Sequence, residues 1–312
     1  MKTTLLSILI PAYNESECLP LLYEKLCEVA ATLPCDVEIL FVNDGSSDDT
    51  LDRIKALQQN DRRMVCVDLS RNYGKETAVS AGIDHARGDA LVILDADLQD
   101  PPELIPEMLA GIEEGCDDVY GYRISRRYER WFKRWSSRQY YRLLSAISSV
   151  EVQENTGDFR MFSAKALDAL RRIKESERNM KGLFSCIGFR KKGIPYEQPP
   201  RAAGRTKWNW FKLLDLAIKG WTSFSVLPLR VISFTGVAVS VAAFVYLAVV
   251  LVKALIFGDP VSGYPSTMCV ILFLGGLVLL ALGIIGEYLG IIYRETKQRP
   301  YYFVNEVLRN EQ

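Results

Sequence analysis

The sequence predicts an α/β fold, in which helices cover a sheet with a parallel core, followed by a carboxy-terminal part that enters a membrane. In the amino-terminal third, short apolar segments alternate with helical segments of about ten to fifteen residues, as in a doubly wound parallel sheet. Farther along, two apolar stretches are long enough to span a bilayer. The four predicted strands are Leu5–Ile10, Glu38–Val42, Val65–Leu69 and Leu91–Leu94.

The fourth strand runs into an acidic motif that contains Asp95, Asp97 and Gln99. Its unbroken apolar run indicates a strand buried on both faces, so the motif lies at the carboxyl end of a central strand, where open α/β sheets bind ligands. If the backbone stays extended, Asp95 and Asp97 project to the same side. Their carboxylates and the Gln99 amide oxygen suit Mg²⁺ or Mn²⁺, which prefer hard oxygen ligands. For this motif alone, a solvated turn capping the next helix is the alternative.

Polar side chains follow all four predicted strands and therefore converge on one edge of the sheet, which favours a ligand site over a surface turn. No G-x-G-x-x-G follows the first strand, which argues against dinucleotide binding. The formal net charge of zero gives no indication of nucleic acid, and the single histidine, His85, argues against histidine-based catalysis. The converging residues are Asn14, Glu15, Asp44, Lys75, Asp95 and Asp97.

Four motifs in this order resemble glycosyltransferase family 2, whose catalytic domain has the GT-A fold with a Rossmann-like sheet. They are IPAYNE (Ile10–Glu15), VNDGSSDDT (Val42–Thr50), RNYG (Arg71–Gly74) and LDADLQDPPE (Leu94–Glu103). The resemblance spans the whole soluble half of the chain and implies a nucleotide-sugar donor. Chemistry agrees with it, because a divalent ion offsets the charge that develops on a departing nucleoside diphosphate.

The resemblance also implies roles for individual residues. Asp44 would hydrogen-bond the base, and Asp97 and Asp158 would be the catalytic carboxylates, Asp158 on the acceptor side. The alternative for Asp158 is a capping residue in a glycine turn. The metal ligands would be Asp95, Asp97 and Gln99. The nucleotide-sugar site would comprise Pro11, Tyr13, Glu15, Asp44, Lys75, Asp95, Ala96, Arg201 and Lys207.

Two cationic segments are predicted to meet phosphate groups. Arg123–Arg142 combines eight cations with interleaved aromatic residues, a composition typical of a helix in an anionic membrane interface. A solvated basic face or nucleic-acid contact is the alternative. The second segment contains Arg201 and Lys207 in a Pro- and Gly-containing loop, for which charge flanking a membrane helix is the alternative. Arg123, Arg138 and Arg205 are the predicted ligands of a lipid phosphate.

The last third predicts a membrane hairpin. The uncharged stretch 231–252 would form about 33 Å of helix, against a hydrocarbon core of about 30 Å. A second stretch, about 268–285, is similar, and positive charge flanks the side of both chain ends. The predicted boundaries are 1–207 for a cytoplasmic catalytic domain with an interfacial helix at about 125–148, 208–228 for a juxtamembrane helix, 229–292 for two transmembrane helices at about 229–256 and 266–292, and 293–312 for a cytoplasmic tail.

The tail from Gly286 to Tyr301 resembles bacterial polyisoprenyl-phosphate glycosyltransferases, and the whole chain is similar to the bactoprenol (undecaprenyl-phosphate) glucosyltransferases of that family. The resemblance implies inverting transfer of glucose from a UDP-sugar to undecaprenyl phosphate, for cell-surface glycan modification. It also implies a homotetramer in the bacterial inner membrane. Both termini are expected to be cytoplasmic, and no nucleic-acid partner is expected.

Three alternatives remain open. The sugar could instead be 4-deoxy-4-formamido-arabinose, mannose or an N-acetylhexosamine, and no residue type separates these donors. A processive polysaccharide synthase would need more spans and usually a Q-x-x-R-W box, which the sequence lacks. A non-catalytic membrane scaffold would leave the Asp95, Asp97 and Gln99 set without a purpose.

Overall fold

The computed structural model describes residues 3–124, 156–173, 175, 180–198 and 263–310, with isolated residues between 234 and 256. The chain divides into two compact units, of which the first combines Met1–Asn209 with Pro300–Gln312 and the second is Trp210–Arg299. Several predicted features lie outside the described residues: Arg138, Arg201, Arg205, Lys207, the interfacial helix at 125–148 and the juxtamembrane helix at 208–228.

An eight-stranded mixed sheet forms the centre of the first unit, with strand order β7-β5-β6-β4-β1-β2-β3-β8. The four predicted strands are present close to their expected positions and pair in parallel as β3-β2-β1-β4, which confirms the α/β fold with a parallel core. The strands are β1 (Leu5–Ala12), β2 (Asp36–Asn43), β3 (Met64–Leu69), β4 (Ala90–Ile93), β5 (Asp118–Arg123), β6 (Thr156–Ser163), β7 (Lys191–Tyr196) and β8 (Val304–Arg309).

Helices cover both faces of this sheet. Alternate residues of β1 separate into two apolar clusters, with Ile8 in one and Leu9 in the other, because successive side chains of a strand point to opposite faces. All four residues of β4 are buried, as its unbroken apolar run predicts. The helices of the first unit are Leu19–Ala30, Thr50–Asn60, Lys75–His85, Ile105–Glu113, Ala164–Arg172 and Met180–Cys186, with a 3₁₀ turn at Pro102–Leu104.

The flanks of the sheet differ from a purely parallel arrangement. Strand β6 is antiparallel to both β4 and β5, and β7 is parallel to β5. Consequently the amino end of β6 and the carboxyl ends of β5 and β7 lie at the same sheet edge as the carboxyl ends of the parallel core. At the opposite flank β8, from the predicted tail, is antiparallel to β3. Sequence patterns did not predict this strand, whose apolar residues do not alternate cleanly.

The second unit contains one long described helix, Tyr264–Thr296. Its segment Phe273–Thr296 is long and apolar enough to cross a membrane, and in the described part of the chain it is the one helix that meets this description. The described residues between 234 and 256 are helical, but the first predicted span falls largely outside the described residues. The two-helix hairpin therefore stays a prediction.

A buried ion pair joins β5 to β6. Arg160 Nη1 donates to Asp118 Oδ2 over 3.0 Å, and both side chains are almost completely inaccessible to solvent. Burial raises the pKa of Asp118, and the nearby charges of Arg160 and Lys191 partly counteract that rise. The Arg160 guanidinium also lies over the Tyr120 ring, 5.2 Å from its centroid. Loss of either partner would leave the other charge buried with less compensation.

We expect Asp118→Asn to lower the free energy of unfolding by about 3–5 kcal/mol, because the buried Arg160 guanidinium would lose the negative charge that it contacts. The exposed Asp168–Arg171 pair provides the control, since Asp168→Asn should cost less than about 1 kcal/mol. Urea unfolding of both variants, followed by circular dichroism, measures the difference. Equal unfolding midpoints for the two variants would contradict a structural role of the buried pair.

Candidate active site

The carboxyl edge of the parallel core collects the polar loops that follow β1, β2, β3 and β4. This edge carries Tyr13–Glu15, Asn43–Asp48, Ser70–Lys75 and Asp95–Asp100. The convergence expected from the sequence therefore holds for every predicted site residue in these loops. Pro11 lies at the end of β1 and is half-buried, and Ala96 is buried beside Asp95.

Lys75 forms the centre of this edge and joins two carboxylates, Asp95 in the loop after β4 and Asp158 in β6. Its ammonium lies 2.6 Å from Asp95 Oδ1, 2.8 Å from Asp95 Oδ2 and 2.6 Å from Asp158 Oδ2. Lys75 is the first residue of its helix, after Gly74 at φ 96°. Asp158 reaches the same point because β6 is antiparallel to β4 and pairs Arg160 with Ile93. Asp95 follows Ile93 by two residues and Asp158 precedes Arg160 by two, so both carboxylates lie at the same end of the pair.

The charge state of this cluster follows from its geometry. Burial of the ammonium opposes its charge, but the carboxylates of Asp95 and Asp158 outweigh that effect and raise the pKa of Lys75 above its ordinary value. The side chain as a whole keeps 43% of its surface exposed, so its stem faces solvent while its tip contacts the carboxylates. Lys75 is therefore a fixed cation near neutral pH, suited to orienting carboxylates and to attracting phosphate, and not a general base.

Asp97 and Gln99 lie in or next to a turn, so the backbone of this motif is not extended, in contrast to the expectation that placed Asp95 and Asp97 on the same side. The chain leaves β4 at Ile93 and turns at residues 96–98, where Leu98 adopts φ 59°. Asp97 Oδ1 accepts from the Gln99 backbone N–H at 3.1 Å, and the Gln99 side-chain oxygen accepts from Gln198 Nε2 at 3.0 Å. A left-handed conformation at a branched, buried leucine is strained, and such strain concentrates at functional sites.

The donor set of this turn fits a hard divalent cation. Among the described residues no group of three or more His, Cys, Asp or Glu side chains could hold a metal. Mg²⁺, however, is commonly bound by one or two carboxylates, with waters and substrate phosphates completing the shell. Asp95 and Asp97 supply two half-buried carboxylates of this kind, while Gln99 directs its oxygen to Gln198.

A second network, which sequence reasoning did not identify, supports the Asp95 backbone. Asp100 is 3% exposed, and its carboxylate accepts from the Asp95 backbone N–H at 3.4 Å and from the Tyr196 hydroxyl at 3.0 Å. Arg123 Nε in turn donates to the Tyr196 hydroxyl at 3.3 Å. The burial of Asp100, and next the charge of Asp95, raise the pKa of Asp100 to about 7. Arg123, a predicted lipid-phosphate ligand, is thus part of the site edge.

Asp44 organises the loops on the other side of the edge. It is 2% exposed, and its two carboxylate oxygens accept from the backbone N–H groups of Tyr73 at 2.7 Å and Gly74 at 2.9 Å. Burial raises the pKa of Asp44, and these two hydrogen bonds lower it. Gly45, at φ 62°, lets the two loops touch, because a Cβ there would lie 2.4 Å from the Arg71 carbonyl carbon.

The first loop joins this assembly through its backbone. Asn14 N–H donates to Ser46 Oγ at 3.1 Å, and Glu15 N–H donates to Thr50 Oγ1 at 3.0 Å. Tyr13 keeps 38% of its surface exposed. The structure thus brings together the loops assigned to nucleotide binding, the acidic turn, and Asp158 with Arg123, whereas the roles of these residues stay predictions.

Carboxylates and cations gathered at the carboxyl edge of an α/β sheet define a ligand-binding, enzyme-like site. Comparison with known proteins identifies the class: residues 7–171 match glycosyl transferase family 2, and the chain belongs to that family. It is therefore a glycosyltransferase.

Relatives resemble the chain over nearly its full length. An uncharacterized glycosyltransferase of Synechocystis sp. is 44% identical over 97% of this chain and 95% of its own length. A bactoprenol glucosyl transferase of Shigella phage SfX is 41% identical over 96% of this chain and 98% of its own length. Among solved structures, glucosyl-3-phosphoglycerate synthase from Mycobacterium tuberculosis matches 70% of this chain and 75% of its own, at 17% identity and a TM-score of 0.47.

We expect Lys75→Met to lower the rate of glycosyl transfer by roughly 100-fold or more, because a preorganised cation at the reaction site would be lost. Lys55→Met is the control, since Lys55 pairs with Glu306 at the surface. Initial rates of the two purified full-length variants measure the effect. Wild-type rates in Lys75→Met would exclude the Lys75 cluster from catalysis.

Proposed function

We propose that this glycosyltransferase moves glucose from UDP-glucose to undecaprenyl phosphate and so makes a lipid-linked donor for cell-surface glycan modification. The observation that carries the proposal is the cluster of Lys75, Asp95 and Asp158 at the carboxyl edge, in a chain 41% identical to a bactoprenol glucosyl transferase along almost its full length. Bactoprenol is undecaprenol, so the name of that relative supplies both the sugar and the acceptor of the proposal.

The donor is assigned to the loops around Asp44. Tyr13 offers an exposed ring beside this loop, and a buried carboxylate such as Asp44 can accept a hydrogen bond from a uracil N–H. Pro11, Glu15 and Ala96 would complete the pocket, and Lys75 would attract the diphosphate. Arg201 and Lys207, which lie six positions apart in the sequence, are also proposed to contact the donor.

A divalent cation, Mg²⁺ or Mn²⁺, would be held by Asp95, Asp97 and Gln99. When bound, it would neutralise charge on the diphosphate leaving group. Asp97 accepts a hydrogen bond from the Gln99 N–H through Oδ1, and its Oδ2 is the proposed metal ligand. Gln99 would have to exchange its bond from Gln198 to become a ligand.

The reaction is proposed as a single displacement with inversion. An oxygen of the lipid phosphate forms a bond to the anomeric carbon, while the bond from that carbon to the UDP oxygen breaks and UDP leaves. A phosphate monoester has a second pKa of about 6 and is already largely ionised near neutrality, so no strong base is required. Asp158, held by Lys75, would orient the acceptor, and catalysis would come mainly from positioning and charge neutralisation.

The acceptor requires a membrane-associated site. The helix segment Phe273–Thr296 meets the length and composition of a membrane span. We propose that a second span at about 229–256 completes a hairpin, with the catalytic domain and both termini cytoplasmic. Arg123, Arg138 and Arg205 would bind the lipid phosphate, and a homotetramer is the proposed assembly.

A donor panel tests the function directly. Radiolabelled UDP-glucose, UDP-N-acetylglucosamine, GDP-mannose and UDP-4-deoxy-4-formamido-arabinose are each offered with a short-chain polyprenyl phosphate to the purified chain. We expect a lipid-extractable product from UDP-glucose, formed only with Mg²⁺ or Mn²⁺ present. A product from another donor would overturn the assignment of glucose, and no lipid-linked product from any donor would overturn the acceptor.

The two catalytic carboxylates should respond differently to substitution. We expect Asp97→Asn to abolish transfer, because half of the carboxylate pair that holds the cation would be neutral. Asp158→Asn should lower turnover strongly while the affinity for UDP survives, because Asp158 is proposed to act on the acceptor. Transfer rates and UDP titrations measure this difference, with the exposed Asp52→Asn as the control. Unchanged turnover in Asp158→Asn would reduce that residue to a turn cap.

A further inference from the structure

The carboxy-terminal strand β8 borders the loops that follow β2 and β3. Because β8 is antiparallel to β3, its amino end lies at the sheet edge that carries the site, and its carboxyl end lies at the opposite edge. Just before β8, the Phe303 carbonyl accepts from the Ser70 backbone N–H at 2.9 Å. Ser70 begins the loop whose Tyr73 and Gly74 amides hold Asp44.

A β-bulge in β8 aims one side chain at this region. Asp68 pairs with Glu306 and Leu69 pairs with Val304, so Asn305 is the extra residue between the two pairs. Bulges of this kind redirect a side chain and are frequent next to active sites. Asn305 Nδ2 donates to Asp68 Oδ2 at 3.0 Å.

Asp68 links Asn305 to Asn43, which lies next to the site. Asp68 is 6% exposed, and its other oxygen, Oδ1, accepts from Asn43 Nδ2 at 2.6 Å. Asn43 directly precedes Asp44, and its side-chain oxygen accepts from the Ser46 N–H at 3.3 Å. Ser46 Oγ then accepts from the Asn14 N–H at 3.1 Å. A continuous series of hydrogen bonds therefore joins Asn305 to the turn after β2 and to the loop after β1.

We propose that Asn305 is a positioning residue for the nucleotide pocket, acting through Asp68 and Asn43 on the loops that surround Asp44. This inference rests on the proposed UDP-sugar donor, and it assigns to the tail a function that neither the family match nor the acidic motif contains. A buried carboxylate that loses one donor reorients or recruits another partner, and either change alters the Asn43 side chain that the carboxylate fixes.

The location of Asn305 allows a test that does not disturb the fold. Its side chain is exposed, and β8 keeps its other attachments when Asn305 is replaced. At the opposite sheet edge Gln58 Nε2 donates to Asn310 Oδ1 at 2.8 Å, and Arg309 pairs with Glu38 at 2.9 Å. Asn310 is thus a matched control. It is the same residue type in the same tail and is hydrogen-bonded to Gln58, but it lies at the sheet edge opposite the site.

The experiment compares Asn305→Ala and Asn310→Ala in the full chain by calorimetric titration with UDP and by steady-state kinetics. We expect Asn305→Ala to weaken UDP binding by about fivefold and to raise KM for the donor, with kcat at saturating donor unchanged. Asn310→Ala should bind UDP like the wild type. Asn305→Asp should bind more weakly than Asn305→Ala, because it sets a second carboxylate against Asp68.

The outcomes separate this inference from the proposed function. Wild-type chain that does not bind UDP would overturn the donor assignment, and the inference with it. Wild-type chain that binds UDP, together with equal affinities in Asn305→Ala and Asn310→Ala, would overturn the positioning role alone. The same holds if both variants lose melting temperature and UDP affinity in parallel, since the tail would then act through stability.

Discussion

The site depends on one ammonium group held between two carboxylates. Lys75 contacts Asp95, two residues after β4, and Asp158 in β6. Without this cation the two partly buried carboxylates would repel each other. The same cation is fixed where a diphosphate is proposed to bind. Lys75 therefore compensates the charge of the acidic cluster, and in the proposed function it would also attract the diphosphate.

Sheet topology is what makes this contact possible. Four parallel strands deliver their following loops to one edge, and the antiparallel strand β6 returns Asp158 to that edge beside Asp95. Strands β5 and β7 end there as well, which brings Arg123 and Tyr196 against Asp100. Asp158, Arg123 and Tyr196 lie on strands, and Asp95 follows β4 by two residues, so the sheet fixes where these groups meet, as catalysis by positioning requires.

Short sequence patterns predict the parallel strands and the loops that follow them, but they do not predict contacts between residues far apart in the chain. Strand β4 could be predicted because an unbroken apolar run indicates a strand buried on both faces, and the acids after it mark where the strand ends. The loops of the parallel core could then be placed at the same sheet edge. The Asp100–Tyr196–Arg123 network and the β8–β3 pairing join residues far apart in the chain, where no local pattern carries a signal. The turn at Leu98 also escaped prediction, because leucine has no preference for a positive φ.

The central claim is that the edge around Lys75 binds the diphosphate of a nucleotide together with a divalent cation. A crystal structure of the full chain with UDP and Mn²⁺, recorded at the manganese absorption edge, tests it most directly. The account predicts an anomalous peak beside Asp97 and the UDP diphosphate, with the base next to Asp44. UDP bound elsewhere, or a manganese peak away from the acidic turn, would contradict it.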